Sequence, residues 1–147
     1  MNKRWTWPLA VLLGLALMGC HFDEPARADV PAFNLNEAFT LAGGQEGLSA
    51  SENLRVRFAD VLEDSRCPTQ VECFWTGQAR IAVAAQPEGS APTTIEFNTN
   101  PAPGQTVKVA DVGRYSVEFQ SLDPYPQTPD DPIALEDYRV TLLVHKR

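Results

Sequence analysis

The chain has few of the residues that most enzyme chemistry requires. It contains two histidines, His21 and His145, and three cysteines among 147 residues. There is no G-x-S-x-G nucleophile elbow, H-E-x-x-H zinc motif or phosphate-binding loop, and nothing marks one pair of carboxylates as a general acid and base. The sequence therefore predicts a protein that is not an enzyme and uses no metal and no cofactor.

Basic residues are also scarce. Twelve lysines and arginines face nineteen aspartates and glutamates, which gives a net charge of −7. If the segment that carries Lys3 and Arg4 is removed, ten basic residues remain against the same nineteen acidic ones. This excess argues against nucleic acid as a partner and against adhesion to anionic lipid headgroups.

Long hydrophobic runs are absent as well. The longest, PLAVLLGLALMG at residues 8–19, follows Lys3 and Arg4 and leads directly into Cys20. It is too short to span a bilayer comfortably and has the build of a secretory signal. One alternative is an ordinary secretory signal in which the cysteine is incidental.

The end of this run, LMGC at residues 17–20, resembles the lipobox of bacterial lipoproteins. The resemblance implies cleavage before Cys20 and acylation of that cysteine with chains such as palmitate, which would anchor the protein stably to a membrane. The next residue is His21 rather than aspartate, which by the same resemblance implies the outer membrane.

The sequence predicts three regions. Residues 1–19 are the signal peptide, and residues 20–36 form a flexible tether, because they are polar, contain two prolines and show no apolar period. Residues 37–147 form one domain, which is long enough to bury a hydrophobic core.

Apolar residues in this domain alternate with polar ones in short runs. Turn residues separate the runs, as is typical of antiparallel strands with one solvated face. We expect about seven strands in an immunoglobulin-like β-sandwich, with a small open β-barrel as the alternative. The runs are AFTLA (38–42), NLRVRFADVLED (53–64), ARIAVAA (79–85), TTIEFNT (93–99), QTVKVADV (105–112), RYSVEFQSL (114–122) and DYRVTLLVHK (137–146).

Two cysteines remain within the domain, Cys67 and Cys73, in the segment SRCPTQVECFWTG between two predicted strands. A redox dithiol usually has C-x-x-C spacing, and a zinc site needs four ligands, so an even pair in an exported protein favours a disulfide. The five residues between the cysteines could also form a recognition loop, and Phe74 or Trp75 would cover one end of the core. The candidate recognition residues in this segment are Pro68, Thr69, Gln70, Val71 and Trp75.

The segment resembles a motif, S-R-C-P-x-x-V-x-C-x-W-x-G, that recurs in small uncharacterised bacterial lipoproteins. Here it runs from Ser65 to Gly77, and a later P-Y-P followed by D-Y-x-V-x-L-x-V (124–126 and 137–144) belongs to the same likeness. The resemblance covers roughly residues 50–147. It implies a β-domain and export, and no reaction.

The loop SLDPYPQTPDDPIALED (121–137) has four prolines and five carboxylates. It lacks the spacing of an EF-hand, so we interpret it as a stiff, solvated loop, with Ca²⁺ binding as the alternative. Tyr125, between two prolines, is a further candidate contact residue. Arg55, Arg57, Arg66 and Arg80 are interpreted as members of surface ion pairs with Glu63, Asp64 or Glu72, the alternative being a docking patch for an anionic partner.

These observations predict a lipid-anchored protein of the bacterial cell envelope with a non-catalytic binding or structural β-domain. Its partners would be the membrane, through the anchor, and an unknown envelope protein or ligand. The alternative is an inhibitor-like module that presents the Cys67–Cys73 loop to an envelope enzyme.

Overall fold

The computed structural model describes residues 29–101 and 108–147. The predicted signal peptide, Cys20, the first part of the tether and Val107 lie outside these residues. The described chain forms eight strands and a short 3-10 helix at Leu135–Asp137. The strands are β1 (Ala38–Ala42), β2 (Glu46–Ser49), β3 (Leu54–Asp64), β4 (Ala79–Gln86), β5 (Thr93–Asn98), β6 (Val109–Val112), β7 (Tyr115–Asp123) and β8 (Arg139–Lys146). Among the described residues no helix has the length and apolar character needed to cross a membrane.

The strands form two four-stranded antiparallel sheets. One has the order β1-β8-β7-β6 and the other β2-β3-β4-β5. This architecture confirms the prediction of an all-β sandwich over the alternative of a small open barrel. The likeness to immunoglobulin domains is architectural, since β2 to β5 form one meander and β6 to β8 another, with β1 placed beside β8.

Alternating side chains of both sheets build the core, as the periodicity predicts. Leu54, Val56 and Phe58 of β3 are fully buried, and Arg55 and Arg57 between them are exposed. The same pattern buries Tyr138, which directly precedes β8, and the inward residues of β4, β5, β7 and β8: Ala79, Ile81, Val83, Ile95, Phe97, Tyr115, Val117, Phe119, Val140, Leu142 and Val144. Val109 is an exception. The alternation in QTVKVADV predicts that it faces inward, but it lies on the edge strand β6 and is exposed.

The domain begins earlier than the sequence indicates. Phe33, which falls in the predicted tether 20–36, is buried in the core and stacks on Phe39 with ring centroids 4.1 Å apart. The N–H of Phe33 donates to the carbonyl of Leu48 at 3.1 Å, and that of Asn36 donates to the carbonyl of Val144 at 2.8 Å. The boundary at residue 37 is therefore wrong, and the domain includes the segment from about residue 31.

Bulges bend the long strands near one end of the sandwich. The pairing of β3 with β4 shifts after Phe58 and again after Val61, so Ala59 and Leu62 have no partner in the ladder. A similar shift in β7 follows Phe119. Bulges increase the local twist and re-aim side chains. After the second bulge in β3, Leu62 faces solvent and the side chain of Asp64 turns inward.

Candidate recognition site at one end of the sandwich

Two loops meet where β3 and β7 end. The disulfide loop (residues 65–78) joins β3 to β4, and the proline-rich loop (residues 124–137) joins β7 to β8. The N–H groups of Thr69 and Gln70 donate to the carbonyls of Pro126 and Gln127, at 3.0 and 3.1 Å. Two segments that the sequence presents as separate candidate sites therefore form one surface.

The disulfide between Cys67 and Cys73 is present, with the two Cα atoms 6.0 Å apart. At its base the loop continues the antiparallel pairing of β3 with β4. The N–H of Ser65 donates to the carbonyl of Gln78 at 2.7 Å, and that of Cys67 donates to the carbonyl of Thr76 at 3.0 Å. Backbone pairing and a covalent link thus hold the loop close to a single conformation.

Gly77 completes this base. It has a φ of +65°, which L-residues rarely adopt, and a Cβ atom at this position would overlap the carbonyl of Ser65. The amide of Asn100 caps the turn by donating to the hydroxyl of Thr76 at 3.0 Å and to the carbonyl of Gly77 at 3.2 Å. Only glycine lets the two sides of the loop approach this closely.

Arg66 connects the two loops, and its predicted surface position is wrong. The residue is only 3% exposed. Its guanidinium donates to the carbonyls of Leu122 and Pro124, both at 2.7 Å, and binds the carboxylate of Asp64 through two bonds of 2.8 and 2.6 Å. The planar fork of arginine suits this arrangement, because one side chain satisfies a carboxylate, the carbonyl of Leu122 at the end of β7 and the first carbonyl of the proline-rich loop together.

Asp64 also accepts a hydrogen bond from the hydroxyl of Tyr138 at 2.9 Å. Burial by itself would raise the pKa of Asp64, but the bonds from Arg66 and Tyr138 outweigh it and the pKa lies below its usual value. Burial and the bond to Asp64 raise the pKa of Tyr138 to about 12. The cluster is thus an ionised carboxylate, a guanidinium and a neutral phenol.

Phe74 and Trp75 lie in the disulfide loop between Cys73 and Thr76, and both are exposed to solvent. Phe74 is fully exposed and Trp75 is 78% exposed, so the prediction that one of them covers the core is wrong. Both lie beyond the last cross-loop hydrogen bond, and the end of the core is already closed. Tyr138 is buried there, and the ring of Tyr125 lies over the guanidinium of Arg66, 4.2 Å from centroid to Cζ.

A cleft of about 380 Å³ separates the two loops. It is lined by Asp64, Ser65, Arg66, Pro68, Val71, Cys73, Pro126, Thr128, Pro129, Asp131, Pro132, Ile133 and Tyr138. A second cleft of about 330 Å³ follows the bulged end of β3 and shares Asp64, Pro132, Ile133 and Tyr138 with the first. The walls are mainly apolar, and their polar groups are carboxylates, hydroxyls and carbonyls around the buried arginine.

The candidate recognition residues all belong to this end of the molecule. Pro68 and Val71 line the cleft, and Trp75 is exposed in the same loop. The side chains of Thr69 and Gln70 are exposed although their N–H groups are bonded to the proline-rich loop. Tyr125 is half exposed and half packed on Arg66, and Cys20, the predicted lipidation site, lies outside the described residues.

Of the four arginines predicted to form surface ion pairs, two do so. Arg55 pairs with Glu46 at 3.2 Å and Arg80 with Glu63 at 3.2 Å, and these side chains are partly exposed. Arg66 is the buried exception.

In residues 29–101 and 108–147 no three histidine, cysteine, aspartate or glutamate side chains are placed to hold a metal ion.

The sequence does not predict the buried cluster of Asp64, Arg66 and Tyr138 as a unit, although it indicates parts of it. Tyr138 is in phase with the inward residues of β8, which indicates burial. Asp64 and Arg66 are opposite charges two positions apart, beside a cysteine, at the end of an apolar strand. Their joint burial depends on the proline-rich loop, which is distant in sequence, so strand periodicity alone cannot show it.

The fold and the site define an all-β sandwich with a cleft between two loops at one end. A disulfide and a buried ion pair hold these loops in place. Comparison with protein-family models, with curated proteins and with solved structures finds no match for this chain.

Proposed function

We propose that this chain is a lipid-anchored lipoprotein of the bacterial cell envelope whose sandwich domain binds a partner protein and catalyses no reaction. The observation that carries the proposal is the pair Phe74 and Trp75, which are exposed in a loop held by a disulfide and by backbone hydrogen bonds on either side of them. The partner would contact these two aromatic side chains and the adjacent cleft.

Exposed aromatic residues on a rigid support are what a protein interface needs. Tryptophan and other large aromatic residues supply much of the binding energy at interfaces. Two adjacent aromatic residues that stay exposed contribute no burial to the stability of the domain, which indicates a role in binding. A loop that is already ordered loses little conformational entropy on binding. Tyr125, half exposed beside the same cleft, adds a third aromatic contact.

The anchor part of the proposal is supported by the sequence. LMGC resembles a lipobox, and the motif from Ser65 to Gly77 resembles that of small bacterial lipoproteins. Cys20 would carry the lipid, in the outer membrane by the identity of His21. With the domain starting near residue 31, about ten residues would separate it from the membrane surface, an extended reach of roughly 30 Å.

The anchor is tested on the protein isolated from membranes. We expect an intact mass that includes cleavage before Cys20, acyl chains and one disulfide, and we expect Cys20→Ser to abolish membrane association. A mature chain that carries no lipid on Cys20 would refute the anchor, and this result would leave the binding proposal to its own test.

Binding is tested with a photo-crosslinking amino acid placed at Trp75 and, as a control, at Glu88 in the turn after β4 at the opposite end of the sandwich. A partner crosslinked from position 75 only is then purified. We expect it to bind the wild-type domain and to lose at least about tenfold in affinity for Trp75→Ala, as for an aromatic hot spot. Equal crosslinking from both positions, or an unchanged affinity, would contradict the proposal.

A second candidate is an inhibitor-like module that presents residues 69–71 to an envelope enzyme. It is favoured by the way the backbone of Thr69 and Gln70 is held while their side chains and that of Val71 face solvent. Replacing TQV with GSG inside the disulfide separates the two candidates. Loss of inhibition of the partner enzyme with unchanged stability supports the inhibitor, while unchanged binding with intact Trp75 dependence excludes it.

A further inference from the structure

The net charge of the domain is concentrated at the end that carries the cleft. Residues 60–78 and 123–137 together hold nine acidic residues and one basic residue, Arg66. The rest of the chain from residue 29 onward holds eight acidic and eight basic residues and is therefore neutral. Two arginines just outside these ranges lie at the same end, Arg80 beside Glu63 and Arg139 beside the carbonyl of Glu136, so nine acidic residues face three basic ones there. This excess of six negative charges produces a negative potential that attracts cationic partners.

Most of these carboxylates have no cationic partner of their own. Among the described residues only Asp64 and Glu63, of the nine, lie within ion-pair distance of an arginine, namely Arg66 and Arg80. The opposite end differs, because Glu52 there is satisfied by Tyr115 at 2.9 Å and by Lys146 at 3.0 Å. The negative charge at the cleft is thus available to a partner rather than consumed within the domain.

The walls of the cleft favour the same kind of ligand. Pro68, Pro126, Pro129 and Pro132 line it, and proline has no N–H to donate. The N–H groups of Thr69 and Gln70 are already used between the loops. The cleft therefore offers apolar rings, carbonyls and the carboxylate of Asp131, and few hydrogen-bond donors, so the ligand has to supply donors and positive charge.

We propose that the cleft between the disulfide loop and the proline-rich loop binds a lysine- or arginine-bearing segment of the partner protein. The aliphatic stem of the basic side chain would pack on the proline walls, and its cationic head would bind at the acidic rim formed by Asp130 and Asp131. Exposed Trp75 offers an aromatic face to a second cation. This inference rests on the proposed function, to which it adds the chemistry of the partner.

A labelled peptide of alternating lysine and valine tests the inference by fluorescence anisotropy, beside a matched peptide in which glutamate replaces every lysine. The measurement is made at about 0.15 M salt, where the Debye length is about 8 Å and distant charges are screened. We expect the lysine peptide alone to bind. Asp130→Asn with Asp131→Asn should weaken binding roughly tenfold, since Asp131 lines the cleft and exposed Asp130 directly precedes it.

The matched control removes two carboxylates from the other end, Glu37→Gln with Glu88→Gln, and we expect its affinity to stay within about twofold of wild type. Equal weakening by both double variants would overturn the inference, because it would indicate nonspecific charge attraction. Absence of lysine-peptide binding, or displacement of the peptide by Ca²⁺ alone, would overturn it too. Circular dichroism of each variant verifies that the fold is retained.

The two proposals fail in different ways. If the crosslinked partner depends on Trp75 but is indifferent to Asp130→Asn with Asp131→Asn, the inference about basic segments is wrong and the proposed function stands. If neither set of variants affects the partner, both are wrong. If both sets weaken it and the control set does not, both are supported.

Discussion

Arg66 is the residue on which the geometry of the cleft depends. Replacing it with alanine leaves Asp64 buried without its charge partner and leaves the carbonyls of Leu122 and Pro124 without their donor, so we expect a loss of about 3–5 kcal/mol in the free energy of unfolding. Urea denaturation of Arg66→Ala measures this. Arg55→Ala is the matched control, since Arg55 pairs with Glu46 on the surface and should cost at most about 1 kcal/mol. Equal effects would show that Arg66 is not a buried partner.

Asp64 predicts a specific pH dependence. Its pKa in the folded protein lies below the usual value, so as the pH falls below about 4 the unfolded chain binds a proton at this residue before the folded chain does. The stability from this carboxylate is therefore present above pH 4 and lost as the pH falls. We expect Asp64→Asn to be less stable at neutral pH and to lose less stability on acidification. Parallel acid profiles for wild type and variant would contradict the assignment.

Gly77 and Gly89 separate backbone strain from steric overlap. Both have positive φ, +65° and +71°, but only at Gly77 would a Cβ meet another backbone atom. Gly89→Ala should cost about 1–2 kcal/mol for the left-handed conformation alone. We expect Gly77→Ala to cost clearly more, because the loop base has to open, and thermal denaturation of both variants compares the two costs. Similar melting temperatures would rule out the close approach at Ser65.

Some features of single residues could not be predicted from the sequence. A tryptophan close to a disulfide is ordinarily expected to pack inward, yet Trp75 is exposed because Tyr125, Tyr138 and Arg66 already close that end of the core. Whether an aromatic residue packs inward depends on what else competes for the space. That competitor, the proline-rich loop, lies some fifty residues away in the chain.

At the scale of elements, the disulfide holds the loop that presents Phe74 and Trp75. A loop this short contributes about 2 kcal/mol in the chain-entropy model. We expect reduction, or Cys67→Ser with Cys73→Ser, to lower the unfolding free energy by that amount and to increase amide exchange at residues 65–78 rather than in the sheets. The double variant in reductant is the control and should show no further loss. A global increase in exchange would contradict the local role.

The strands were the most predictable elements, because period-2 alternation directly reflects which face is buried. It identified seven of the eight strands. β2 was missed since Glu46–Ser49 is four residues long and begins beside a glycine-rich turn. The prediction that Val109 faces inward is wrong, because an edge strand covers little of the core and its alternation therefore does not indicate which residues are buried.

Across the whole molecule, the two ends of the sandwich differ in how their charges are compensated. Glu52 at one end is held by Tyr115, Arg114 and Lys146. At the cleft end, most carboxylates have no cationic partner among the described residues, and exposed aromatics lie in the same loops. The amino-acid composition predicts only the total charge of the chain and not where that charge lies. The concentration of that charge at one end follows from the antiparallel topology, which brings the ends of β3 and β7 together.

The extent of the folding unit can be tested at its N-terminal boundary. Phe33 is buried against Phe39, so Phe33→Ala should cost about 3–5 kcal/mol, while Val30→Ala, at a residue that is 52% exposed, should cost little. For the same reason a chain beginning at residue 29 should keep the stability of the full-length protein, and one beginning at residue 37 should lose several kcal/mol. Denaturant titration compares the four proteins. Equal stability of the two truncated chains would show that residues 29–36 belong to the tether, because their contacts with β1, β2 and β8 would then contribute nothing to the free energy of unfolding.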